Sequence, residues 1–323
     1  MKRTAARRLL YWAVSILVSA VLLYYALRGV DWGSVWHLIA HADLRYIAAA
    51  TALTCWSFFI RSVRWRILLN AEGRFRVGTV FWANMAGYLG NSFLPARAGE
   101  LVRSLLICGQ SGLSKAYVLT TALSERMMDV IALVLRSSLV LLGVNPKPAW
   151  MQGVSGGMAI AAAAGALFVV VLPHTGGLLE SILKRIPLPA SVRALLLGLV
   201  EQILLGVRAF HDWGRLAGFA ALTVAIWLSD ALGVMTGAHA LGLDVTFPVA
   251  MLLLAGMGLG SALPSTPGYV GVYQFAAVSI LTPFGISRDG ALAYILVAQA
   301  LSYVLVLIGG LPGLYLLRRR PPA

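Results

Sequence analysis

Ser92-Phe-Leu-Pro-Ala-Arg-Ala-Gly99 returns without gaps, 169 positions later, as Ser261-Ala-Leu-Pro-Ser-Thr-Pro-Gly268. The shared pattern Ser-x-Leu-Pro-x-x-x-Gly interrupts an apolar run each time. Proline lacks an N–H and disfavours helix at the residue before it, and glycine permits close backbone approach. Pro95, Gly99, Pro264, Pro267, Gly268 and Gly271 are therefore the expected break positions. The surroundings repeat as well: 46–60 corresponds to 215–240, 77–110 to 247–284, and 116–142 to 290–317. Two internal repeats, about 46–142 and 215–317, are predicted. The alternative is a pair of ordinary Pro-kinked helices packed in a bundle.

Composition sets the solvent. Of 323 residues, 59% are hydrophobic and 12% charged, roughly half the charged share of a soluble domain. Leu9 to Leu27 runs without a charge, long enough at about 1.5 Å per residue to cross a hydrocarbon core of roughly 30 Å. Helices satisfy their own backbone hydrogen bonds in lipid and read as continuous apolar runs. The expected fold is an all-α polytopic membrane protein, one transmembrane domain over 1–323. Its architecture is an inverted-repeat helical bundle with two re-entrant or broken-helix hairpins. Met1 to Leu27 is expected to be a retained first helix, its apolar run being longer than a usual signal-peptide core.

The formal net charge of +14 does not point to nucleic acid, because the Lys and Arg flank apolar runs in short clusters. Cys55 and Cys108 give neither a disulfide framework nor a metal quartet. His37, His41, His174, His211 and His239 lack ligand spacing, so neither a metal nor a cofactor is expected. Take the N-terminus as cytoplasmic, with full spans at 9–27, 46–60, 116–142, 152–172, 215–240 and 290–317. Only Arg28, Arg45, Lys147 and Arg288 then fall outside. That orientation puts both termini in the cytoplasm. It also makes 77–110 enter and leave on one side and the second hairpin enter from the other, so the two halves are inverted copies. The stretch 174–212, with Lys184, Arg185, Arg193 and Arg208 among Leu and Ile, is expected as a cytoplasmic amphipathic connector on anionic lipid, or else as a soluble linker.

A charge at membrane depth costs on the order of 3 kcal/mol and needs a partner or a pore. Arg97, Glu100 and Arg103 stand at i, i+3, i+6 after the first break. Glu125, Arg126 and Asp129 share one face of the next helix. Asn84 and Asn91 precede the first break; Thr266, Tyr273 and Gln274 accompany the second. These charges either bridge one another and lock helix packing, or present arginine forks to a phosphate or carboxylate. Asp230 stands alone in an apolar helix, suited either to proton coupling or to pairing with an arginine. Arg136 is expected to snorkel at the outer end.

Asn91-Ser-Phe-Leu-Pro-Ala-Arg-Ala-Gly-Glu-Leu-Val-Arg103, Ser124-Glu-Arg-Met-Met-Asp129 and Leu263-Pro-Ser-Thr-Pro-Gly-Tyr-Val-Gly271 together resemble the lysylphosphatidylglycerol synthase transmembrane-region family, with matching order over about residues 10–320. The family includes the flippase domain of multiple peptide resistance factors and many bacterial inner-membrane proteins. The resemblance implies lipid translocation, with the motif residues near a lipid-accessible cavity. It does not carry lysyl transfer, since no aminoacyl-transferase segment follows Arg320. Many members carry Glu where this chain has Gln274, which removes an acidic role there. Some stand-alone members are associated with hopanoid or isoprenoid lipids, leaving the lipid open.

The expected function is a lipid flippase or transporter of the bacterial inner membrane, moving a lipid with an anionic head group through a central cationic cavity. The candidate substrate-binding residues are Asn91, Arg97, Glu100, Arg103, Glu125, Arg126, Asp129, Thr266 and Gln274. The rivals are an intramembrane transferase on a phospholipid or polyprenyl lipid, with Glu100, Glu125 and Asp129 as the acid/base candidates, and a scaffold for a biosynthetic complex. The partner is a membrane lipid; the oligomeric state, homo-oligomer included, is left open.

Overall fold

A computed structural model of the chain describes residues 2–94, 98–143 and 212–319, with Ser181 and Leu197 as isolated positions. The predicted span 152–172 lies outside the described residues, as do Pro95, Arg97 and all of the 174–212 connector but Ser181, Leu197 and Asp212. Among the described residues the fold is all-helical: α1 (Lys2–Leu27), α2 (Trp32–Ala40), α3 (Leu44–Leu69), α4 (Val77–Phe93), α5 (Gly99–Gly109), α6 (Lys115–Gly143), α7 (Trp213–His239), α8 (Phe247–Gly260), α9 (Val272–Leu281) and α10 (Arg288–Arg319). By length and composition α3, α7 and α10 can each cross a membrane, and α1 with α2, bent by 85°, makes a fourth candidate. The chain is an all-α polytopic membrane protein.

Two elements depart from the runs read in the sequence. The loop after the first span contains α2, capped by Asp31, whose carboxylate accepts from the Gly33 N–H at 2.9 Å and the Ser34 hydroxyl at 2.7 Å. Those bonds also hold the Asp31 carboxyl below the usual carboxylate range, the Ser34 hydroxyl contributing most. The second span does not end at residue 60. Helix α3 continues to Leu69 and carries Arg61, Arg64 and Arg66 with it. Arginine is a good helix former, and two of these guanidiniums find carboxylates inside the bundle.

Helices α3 and α7 pack antiparallel along their length. The Asp43 N–H donates to the Ala240 carbonyl at 2.8 Å, Gly237 faces Ala50, Gly233 faces Leu53, and Arg64 reaches Thr223. Around this seam the contacts come in matched pairs. α4 packs on α10 as α8 packs on α6, α3 on α4 as α7 on α8, α5 on α6 as α9 on α10, and α3 on α6 as α7 on α10.

Helices α4 and α5 form a tight antiparallel hairpin. Leu94, the residue before Pro95, is extended (φ −96°, ψ 149°), as proline demands of its predecessor. A Cβ on Gly90 would lie 2.8 Å from Gly99 Cα, so the arms meet backbone to backbone. The same economy brings α10 onto α4, where Gly310 and Gly313 face Met85, Leu89 and Trp82. Apolar area is no driving force between helices in lipid, so small residues and van der Waals contact hold such pairs together.

Candidate functional site

Three helices converge on six charges. α5 supplies Glu100 and Arg103, α6 supplies Glu125, Arg126 and Asp129, and α3 supplies Arg64. They close into a ring in which each carboxylate touches two guanidiniums and each guanidinium two carboxylates. Arg126 meets Glu100 at 2.5 Å, and Glu100 meets Arg103 at 2.5 Å. Arg103 meets Glu125 at 2.8 Å, and Glu125 meets Arg64 at 2.9 Å. Arg64 meets Asp129 at 2.7 Å, and Asp129 returns to Arg126 at 3.4 Å. Helix spacing makes this possible: 100/103 and 126/129 are i, i+3 neighbours, and 125/129 are one turn apart.

The ring has a closed side and an open side. Side chains of Arg64, Arg103 and Glu125 are 2–4% exposed, against 20% for Glu100, 23% for Asp129 and 42% for Arg126. Aromatic and polar groups complete the closed side. Arg103 lies over the Trp65 ring at 4.3 Å and donates to Asn84 Oδ1 at 2.9 Å. Arg64 lies over Phe219 at 4.9 Å and donates to Thr223. Asn91 ties the ring to the hairpin, its Oδ1 accepting the Gly99 N–H at 3.0 Å while its amide faces Glu100 at 3.5 Å.

Asn91, Glu100, Arg103, Glu125, Arg126 and Asp129 are thus brought together. Arg64 was missed: it follows the apolar run and reads as a flanking topology charge. The Phe-Phe-Ile-Arg-Ser-Val-Arg-Trp-Arg series, residues 58–66, keeps helical spacing through its charges, which was the available signal. Among the described residues the ring pairs three arginines with three carboxylates and is formally neutral; Arg97, on which the expected cationic cavity also rests, lies outside them. Arg103, expected to grip a head group, is enclosed by Glu100, Glu125, Asn84 and Trp65, since its place on α5 turns it into the α3 and α4 contact.

Thr266 and Gln274 belong to a second network. The Thr266 N–H donates to Ser19 Oγ on α1 at 2.9 Å. Gln274 accepts the Gly271 N–H at 2.7 Å and donates to Gln299 at 2.6 Å, and Gln299 donates to the Gly268 carbonyl at 2.6 Å. Gly268 (φ +77°) and Gly271 (φ +85°) adopt the left-handed backbone that the second break requires. These amides satisfy the backbone groups freed by the break, as a membrane interior demands. None of these hydrogen bonds reaches the charge ring.

Two other expectations resolve. Asp230 is paired: its carboxylate meets Arg61 at 2.6 Å and accepts from the Ser57 hydroxyl at 2.6 Å. Arg136 does not snorkel. It is 7% exposed, with its guanidinium 5.4 Å from the Trp227 ring centre on α7, and α8 packs along α6. Among the described residues no cluster of His, Cys, Asp and Glu suits a metal ion.

Broken hairpins packed around buried ion pairs define a polytopic membrane protein with an intramembrane polar site. The chain belongs to the family described as the lysylphosphatidylglycerol synthase TM region, whose model matches residues 12–310. It is similar to the glycosyltransferase AglD of Haloferax volcanii, at 24% identity over 330 residues, covering 92% of this chain and 52% of the relative. The chain thus spans about half the length of that relative. The family places the chain among membrane proteins with a lipid-related role.

Proposed function

We propose that this protein moves a lipid with an anionic head group between the leaflets of a bacterial cytoplasmic membrane, with both termini on the cytoplasmic side. The observation that carries the reading is the half-open charge ring. It holds one well-exposed guanidinium, Arg126, in a frame of charges fixed by Arg64, Arg103 and Glu125. A phosphate can take one edge of Arg126 while Glu100 and Asp129 keep its plane oriented, since a guanidinium fork engages two oxygens at once. Arg103 and Arg64 then act as positioning residues.

The matched helix contacts and the antiparallel α3/α7 seam support two inverted copies, the arrangement in which rocking exposes a midplane site to either side. The name of the relative favours a second reading, an intramembrane transferase acting on a lipid-linked substrate. Against it, each ring carboxylate is already occupied by two guanidiniums, which leaves no free general base at the ring.

The first test is lipid retention. Wild-type protein purified in mild detergent is expected to carry phosphate-bearing lipid in native mass spectra. Arg126→Ala is expected to lose at least about tenfold in occupancy, the loss of one charge-assisted contact. Lys115→Ala, at the start of α6 and outside the ring, is expected to retain it. Equal occupancy in Arg126→Ala and wild type would remove Arg126 from the site.

A further inference from the structure

The centre of the bundle holds a second charged cluster that is not balanced. Arg61 and Asp230 are 169 residues apart, the offset of the sequence repeat, so the pair joins equivalent positions of α3 and α7 at the seam. Asp230 also lines a cavity of about 250 Å³ between α3, α7, α8 and α10, walled by Ala50, Thr54, Leu254, Met257 and Ala298. Gly233 and Gly237 on α7 leave the room for it. Arg136 belongs to the same cluster. Trp227 and Asp230 are i, i+3 on one face of α7, and Arg136 stacks on Trp227, within electrostatic reach of Asp230.

Arg136 differs from the other buried arginines among the described residues. More than nine-tenths buried, it has no carboxylate partner among the described residues; its Nε is without a hydrogen-bond acceptor, as are those of Arg64 and Arg103, but those two are held by carboxylates. Asp129 of the ring also acts on both Arg61 and Arg136, but it is paired with Arg64 and Arg126, so the cluster holds two guanidiniums and one carboxylate of its own. An unpaired buried cation is costly in the membrane. One further anion would balance it.

We propose that Arg61, Arg136 and Asp230 form an anion-binding station for a phosphate-type head group, with Asp230 as a displaceable counter-ion that holds Arg61 while the station is empty. This rests on the lipid-transport reading and extends it, placing a second stop one helical turn beyond the ring, since Arg61 and Arg64 are neighbours at i, i+3 on α3. An arriving phosphate takes Arg61 from Asp230, and the freed carboxylate turns to Arg136. Both guanidiniums then have an anionic partner, which Arg136 lacks while the station is empty.

The test uses the full-length protein in detergent, with a short-chain phosphatidic acid as probe and binding followed by thermophoresis. If Asp230 is a competing counter-ion, Asp230→Asn tightens phosphatidic acid binding by about tenfold or more, while Arg136→Gln weakens it by a similar factor, each the effect of roughly one charge-assisted contact. An Asp230 that only holds helices together predicts the reverse: Asp230→Asn weakens binding or leaves it unchanged, and that result overturns the proposal. Ser57→Ala, which loosens the carboxylate without removing its charge, is expected to tighten binding more weakly and guards against misfolding of the charge variant. The transport reading fails separately. Tighter binding in Asp230→Asn without lipid movement by wild type keeps the station and discards transport, whereas transport with unchanged Asp230→Asn affinity does the opposite.

Discussion

Glu125→Ala is expected to be the most destabilising single substitution in the ring, by about 3–5 kcal/mol, because it leaves two buried guanidiniums short of a partner. Glu125 bridges Arg64 at 2.9 Å and Arg103 at 2.8 Å, and all three side chains are nearly inaccessible. Each arginine keeps one carboxylate, Asp129 or Glu100, but both of those already serve Arg126. Glu125→Gln preserves shape yet removes the charge, and should fall between alanine and wild type. Arg126→Ala should cost below about 1 kcal/mol, since its head is half in the open and exposed pairs contribute little. Thermal unfolding in detergent, followed by circular dichroism, ranks the three. A melting temperature for Glu125→Ala close to that of wild type would contradict the ring as a structural unit.

The second large effect is steric. A Cβ placed on Gly99 would stand 1.9 Å from the Gly87 carbonyl oxygen and 2.5 Å from Asn91 Oδ1. The nearer obstacle is backbone, which cannot swing aside. Gly99→Ala must therefore part α4 from α5, and overpacking of this kind costs roughly 1–3 kcal/mol or more. The damage extends to function, because Glu100 and Arg103 sit on the displaced arm and Asn91 loses the Gly99 N–H. Gly99→Ala is thus expected to lower the melting temperature and to abolish lipid retention together. Gly78→Ala in α4 meets nothing within 4 Å, so it should be neutral or slightly stabilising through helix propensity. Equal melting temperatures for the two variants would mean that the hairpin is looser than described.

Much of this was legible in the residues. The hairpin 77–110 appears as α4 and α5 because Pro95 and Gly99 mark its break and a charge-free arm leads into it. The clustering of 97–103 and 124–129 anticipated where α5 and α6 would meet. What escaped reading has a common physical cause. An arginine after an apolar run looks like an interfacial topology signal, and only three-dimensional pairing shows whether it is. Arg61 and Arg64 follow the 46–60 run and so read as edge charges, yet Asp230 and Glu125 pair with them inside the bundle. Arg136 was judged by its nearness to a helix end, whereas Trp227 and the packing of α6 decide its burial. Pro95, Arg97 and nearly all of the 174–212 connector lie outside the described residues. The part of Arg64 in the ring could not be foreseen from the sequence, and with Arg61 paired to Asp230 the buried guanidinium left without a carboxylate among the described residues is that of Arg136.

The central claim is lipid movement. Its most direct test is leaflet exchange in sealed vesicles of phosphatidylcholine reconstituted with the pure protein and a trace of fluorescent phosphatidylglycerol, read by the fraction that an impermeant reductant can quench over time. The account predicts that wild type moves the labelled lipid across the bilayer faster than protein-free vesicles do, with its head group chemically unchanged. It also predicts that Arg126→Ala, folded and equally incorporated, falls to the protein-free rate. Exchange that is no faster with wild type, or that persists undiminished in Arg126→Ala, would contradict it.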